Sequence, residues 1–207
     1  MKGSIIVVLF FLAGVGIGVS GIWPQSVNAS GCATGVLYLL MALVGFEFGH
    51  KSLAQTLRTL NLSALMVPLF SALGTLLMCV ILWMIMGGWA LTDFLAVGSG
   101  FGYYSLSSLI IIDIKSPEIG TQLATQLAAI ALLTNLFREM LSLTCAPLFK
   151  KIGGPEGPVA AAAVTSLDVS LPIITRVSGQ AMVPLAIING IALEVTVPFL
   201  VTFFASL

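Results

Sequence analysis

Long apolar runs interrupted by short polar stretches set the pattern of this chain. Five runs have the length of full membrane crossings, at about 4 to 22, 32 to 49, 61 to 86, 121 to 147 and 179 to 205, since roughly 20 helical residues cross a bilayer core of about 30 Å. Two further segments are apolar but irregular. Residues 92 to 115 contain SGFGYYSLSS, and residues 158 to 175 contain TSLDVSLP. Glycine and proline weaken or break helices, and the backbone groups they free are tolerated at membrane depth only inside protein or beside a water-filled cavity. Both segments are therefore expected as broken intramembrane elements.

Basic residues orient the crossings, because lysine and arginine favour cytoplasmic loops. Lys2, Lys51, Arg58, Lys150 and Lys151 should lie inside. If each irregular segment crossed once, as in a model of seven spans with two of them discontinuous, Lys150 and Lys151 would fall outside. A re-entrant hairpin at 92 to 115 removes the conflict. If 158 to 175 also dips in and returns, Arg176 stays cytoplasmic and only Lys115 is left outside. The expected fold is thus an all-α integral membrane protein, a single transporter domain over 1 to 207. It has about five full transmembrane helices plus two opposed, broken hairpins, and a cytoplasmic N-terminus. YSLSSLII at 104 to 111 resembles TSLDVSLPII at 165 to 174. Related broken elements of opposite orientation are the means by which inverted-repeat transporters build a midplane site. Glycines that merely allow close helix packing explain SGFG equally, but not Asp168.

Composition agrees with membrane residence: 58% of the 207 residues are hydrophobic and 8% charged, where soluble domains carry about a quarter charged. Formal net charge is zero, which gives no basis for nucleic-acid binding. The N-terminal run resembles a secretory signal but is long and lacks an A-x-A site, so it is kept as a transmembrane helix. Cys32, Cys79 and Cys145 are widely separated in apolar sequence and read as packing residues, neither disulfide nor metal site. No P-loop, H-E-x-x-H or G-x-S-x-G motif occurs, so no enzyme activity and no cofactor are expected.

Ionisable groups within membrane segments mark pathways or partners, because each costs about 2.5 to 3.5 kcal/mol at a helix centre on insertion scales. Asp168, beside Thr165, Ser166 and Ser170, is suited to a cationic group or a proton. Arg138 and Glu139 are adjacent, so their side chains diverge by about 100° and each needs its own partner. Arg138 either pairs with Asp168 or binds a substrate carboxylate. Asn135, Thr134, Gln122 and Gln126 add polarity to the same helix. Glu194 is either a proton or ion ligand or a protonated, hydrogen-bonded glutamate, with Asn189 five residues before it. Tyr103, Tyr104, Ser105 and Ser107 either line a cavity or support it. Glu47 is read as pairing with Lys51, His50 as interfacial, and Trp23, Trp83 and Trp89 as interface anchors.

Four pieces, GSGFGYYSLSS at 98 to 108, the Arg138–Glu139 pair, VTSLDVSLPIITRVSG at 164 to 179 and MVPLAIINGIALEVTVPFLVTFF at 182 to 204, together resemble the bacterial LysO lysine-exporter family. The resemblance implies secondary transport: export of L-lysine and toxic lysine analogues across the inner membrane, coupled to a proton or sodium gradient. It also implies about three further N-terminal spans in full-length members. The matching expectation is either a split transporter with a small three-span membrane partner or self-assembly into a homo-oligomer. An acidic residue can precede the Arg–Glu pair in the family, where this chain has Asn135, and Glu194 has no acidic counterpart there. A cation/proton antiporter through Asp168 and Glu194, and a non-transporting membrane subunit, remain as rival readings.

Overall fold

A computed structural model describes residues 62 to 207, with isolated helical positions among residues 9 to 39. The chain divides into two compact units, Met1–Phe48 and Gly49–Leu207. Most of the spans expected at 4 to 22 and 32 to 49, together with Lys2, Trp23, Cys32, Glu47, His50, Lys51 and Arg58, lies outside the described residues.

Described residues of the second unit are helical without strands. A 3₁₀ turn, Leu62–Leu65, leads into α1 (Met66–Met86), followed by α2 (Leu91–Gly98), α3 (Tyr104–Ile119), α4 (Thr121–Thr144), α5 (Ala146–Gly153) and α6 (Gly157–Ala162). After a second 3₁₀ turn, Ala163–Leu167, come α7 (Leu171–Ser178), a third such turn, Gln180–Met182, and α8 (Val183–Ala205). Helices α5, α6, α7 and α8 each carry proline in the first two positions. Its fixed φ and missing N–H cost nothing there. Three helical stretches among the described residues are long and apolar enough to cross a membrane, Met66–Met86, Thr121–Thr144 and Gln180–Ala205, close to three of the expected runs.

Helices α2 and α3 are limbs of a hairpin that returns to the face it entered. The outer end of α2 meets the outer end of α3 through Lys115 Nζ, 3.4 Å from Asp93 Oδ1. The 92–115 segment therefore folds as a hairpin whose outer ends meet, as a re-entrant element would. Gly120 (φ 85) then turns the chain directly into α4, which packs extensively along α3 and carries it to the other face. There the second hairpin enters through α6 and leaves through α7. The outer end of α7 lies beside α5, where Lys150 Nζ donates to the Val177 carbonyl at 2.7 Å. Helix α8 crosses back, touching the second hairpin's 3₁₀ turn as well as α2 and α3. The two hairpins thus enter from opposite faces, and Lys150, Lys151 and Arg176 share one of them.

Candidate functional site

The two hairpin breaks meet inside the helix bundle. The Val164 N–H donates to the Phe101 carbonyl at 3.1 Å, joining the two tips directly. Asn135 lies 14 residues along α4, roughly 21 Å from its start, and holds the first break. Its Nδ2 donates to the carbonyls of Val97 (3.1 Å) and Ala131 (2.9 Å), and its Oδ1 accepts from Gly102 N–H at 2.8 Å. Asn189 on α8 holds the second in the same way, donating from Nδ2 to the carbonyls of Val159 (3.2 Å) and Ala163 (3.0 Å). In each hairpin the residue four beyond the clamped valine, Phe101 (φ 46) or Ala163 (φ 52), is a non-glycine with positive φ. The repeat suggested by the sequence is thus present in backbone geometry and in the asparagine that supports it.

Every carbonyl at the end of α6 finds a donor. Arg138 Nε reaches Ala161 O at 3.0 Å and its Nη2 reaches Ala160 O at 3.3 Å, while Nη1 donates to Thr75 Oγ1 at 3.0 Å. Ser71 Oγ also donates to Ala160 O at 2.9 Å, and Thr165 Oγ1 donates to Ala162 O at 3.0 Å. Ser166 Oγ contacts the carbonyls of Ala163 and Ala186 at 2.6 and 2.7 Å. A cation at the negative end of a short helix satisfies both its dipole and its orphan acceptors. Neither role anticipated for Arg138 included this one, a clamp on hairpin backbone. Ser71, Thr75 and Ser142 were not anticipated at all. They are short hydroxyls on apolar helices, indistinguishable in sequence from ordinary helix-packing residues.

At the mouth of the second break a chain of hydroxyls joins α4 to the hairpin: Ser142 Oγ lies 2.8 Å from Ser170 Oγ, which lies 2.9 Å from Thr165 Oγ1. All three are buried. Asp168, just beyond the 3₁₀ turn, is exposed, and its carboxylate accepts from the Val169 N–H. Glu139 is 2% exposed. Tyr104 is half-buried at the start of α3. The two tips thus meet through Val164 and Phe101, and α4 reaches the second hairpin through Ser142.

Ser107 is buried, with its hydroxyl 3.3 Å from the Tyr104 carbonyl, and Ser105 and Tyr103 are half-buried beside it. Glu194 is half-buried on α8, about 7.5 Å along the axis beyond Asn189 and turned by roughly 140° from it. Gln122 and Gln126 are exposed. Among the described residues no group of three or more His, Cys, Asp or Glu side chains is arranged to hold a metal.

Comparison with known proteins accords with this architecture. The chain matches the family model for lysine exporter LysO over residues 8–205. It is 31% identical over 202 residues to the lysine exporter LysO of Escherichia coli (strain K12), an alignment covering 93% of this chain and 61% of that protein. The chain thus spans about three fifths of that relative's length. It is 32% identical over 171 residues to a putative lysine exporter of Haemophilus influenzae (strain ATCC 51907 / DSM 11121 / KW20 / Rd), covering 83% of each. No solved structure matches it. With nearly its whole length matched, this chain belongs to the LysO lysine-exporter family.

Proposed function

We propose that the chain exports L-lysine and toxic lysine analogues across the bacterial inner membrane, as a secondary transporter driven by a proton or sodium gradient. The observation that carries this reading is the exposed Asp168 carboxylate beside the junction of two opposed broken hairpins. A carboxylate at such a junction binds a primary ammonium, and the clamped backbone around it stays at membrane depth without unpaired carbonyls. Glu139, buried on α4 one turn before Ser142, is suited to exchange a coupling proton. Arg138 and the two asparagines are positioning residues that hold the hairpins. The names of the two relatives support lysine as the substrate.

The reading extends to the assembly. Lys150, Lys151 and Arg176 lie on one face and, by their charge, favour the cytoplasm. The N-terminus is cytoplasmic too, residues 1 to 207 act as one transporter domain, and a second copy or a small three-span membrane partner completes the transporter.

The test is lysine flux in proteoliposomes under imposed proton and sodium gradients, comparing the chain with Asp168→Asn. Gradient-driven flux that is lost in the variant is expected, and normal flux in the variant would overturn the role of Asp168. Flux of protons against sodium without lysine would instead establish the antiporter reading.

A further inference from the structure

A second carboxylate stands at the far end of the bundle, where α1, α2 and α4 enclose a cavity of about 280 Å³. Its walls include Leu82, Met86, Phe94, Leu127 and Ile130, with Cys79 on the α1 side. Asp93 also lines it and is 6% exposed. Its Oδ2 accepts the Ala90 N–H at 3.1 Å, which starts α2. Its Oδ1 makes no hydrogen bond among the described residues and is offset only by the Lys115 ammonium at 3.4 Å. A buried carboxylate oxygen without a hydrogen bond is costly, and the cost falls when a donor arrives. Lys115 has somewhere else to go, because its Nζ is also 3.1 Å from Glu118 Oε2, on a side chain that is 53% exposed.

From these contacts we infer that the cavity is a second binding site, for a primary ammonium on an unbranched alkyl stem. The stem lies along the aliphatic wall and the ammonium donates to Asp93 Oδ1. Lys115 yields its place on Asp93 and keeps its pairing with Glu118. Asp93 and Glu118 share the single ammonium of Lys115, so the arriving ammonium supplies the missing second positive charge. The volume suits a small ligand, lying near the lower end of the range of about 300 to 1,000 Å³ for small-molecule pockets. Asp93 lies at the outer end of the first hairpin, on the face opposite Lys150. If the lysine-export reading holds, this is where the side chain of a departing lysine pauses on its way out. That identification of the ligand rests on the export reading; the amine site itself does not.

Cys79 makes the site measurable without transport. The full chain in lipid would be treated with methyl methanethiosulfonate, and modification of Cys79 followed by mass spectrometry, with Cys145 as internal reference. n-Pentylamine should slow Cys79 labelling about tenfold at about ten times its dissociation constant, because roughly one site in eleven then stays open. Labelling of Cys145 should not change. n-Pentanol, of the same shape without the charge, should protect far less, and Asp93→Asn, which keeps an acceptor for the Ala90 N–H, should abolish protection by the amine. Equal protection by amine and alcohol, or none by the amine, would overturn the inference in the unsubstituted protein alone, whether or not the variant folds. Protection by amine in a chain that moves no lysine would instead leave the cavity standing and remove the export reading.

Discussion

Three side chains carry the polar framework, and each does so by answering backbone groups that a broken helix leaves open. Asn189 is completely buried and gives its amide to two carbonyls of the second hairpin. Asn135, 3% exposed, bridges both sides of the first. Truncating Asn135 leaves the buried Gly102 N–H without its acceptor, at about 1 to 3 kcal/mol for a stranded group, and truncating Asn189 takes one of their donors from the Val159 and Ala163 carbonyls. Asn135→Ala and Asn189→Ala should each lower the thermal unfolding midpoint of the detergent-solubilised protein clearly, whereas Gln126→Ala on the exposed face should not. Arg138→Lys is not conservative here. One ammonium cannot span the carbonyls of Ala160 and Ala161 and the Thr75 hydroxyl together, so transport should fall by an order of magnitude or more with the charge retained. Normal flux in Arg138→Lys would show that charge alone suffices. The sequence marked Asn135, Asn189 and Arg138 as polar groups out of place in apolar helices. It did not reveal what they hold, because their partners are main-chain carbonyls, which every residue carries.

The broken hairpins were legible at the level of elements because glycine, serine and proline replaced leucine in two runs. Their folding back as hairpins was also anticipated, through the conflict over Lys150 and Lys151. What could not be read was the site of each break. The likeness of YSLSSLII to TSLDVSLPII drew attention to the hydroxyl-rich stretches, whereas the common geometry lies earlier, at Val97 to Phe101 and Val159 to Ala163. Those segments share a backbone path and little side-chain chemistry. Ala163 at φ 52 and ψ −118 is strained for a residue with a Cβ, a conformation that costs about 1 to 3 kcal/mol. Ala163→Gly should relieve it and raise the unfolding midpoint. Gly190 presents the opposite case: a Cβ there would lie 2.9 Å from the Leu167 backbone nitrogen. Gly190→Ala must therefore push the 3₁₀ turn away from α8, and with it the segment bearing Asp168. Loss of lysine flux in a variant that still folds is expected, and full activity would mean that the hairpin does not depend on this contact.

Topology ties these local features into a molecule with two faces. In sequence, Lys115 was the one basic residue left on the outer side of the arrangement. In the fold its ammonium is buried between Asp93 and Glu118, so it presents no free charge to either membrane surface and does not weigh against the orientation. Lys150, Lys151 and Arg176 lie together on the other face, and the first two are exposed at the end of α5. Two opposed re-entrant hairpins and two crossing ones predict different pairings of exposed sites. Re-entry puts Ala90 and Glu118 on one side and Ile152 and Gln180 on the other. Crossing would separate Ala90 from Glu118, and Ile152 from Gln180. Single cysteines at these four positions, in a background lacking Cys32, Cys79 and Cys145, distinguish the two with a membrane-impermeant maleimide. Ala90→Cys and Glu118→Cys should label in intact cells, and Ile152→Cys and Gln180→Cys only after permeabilisation. Labelling of position 90 without 118 would turn the first hairpin into a crossing and move Lys150 and Lys151 relative to α1. It would also break the Asp93–Lys115 contact, since the two ends of that segment would then lie a full bilayer apart.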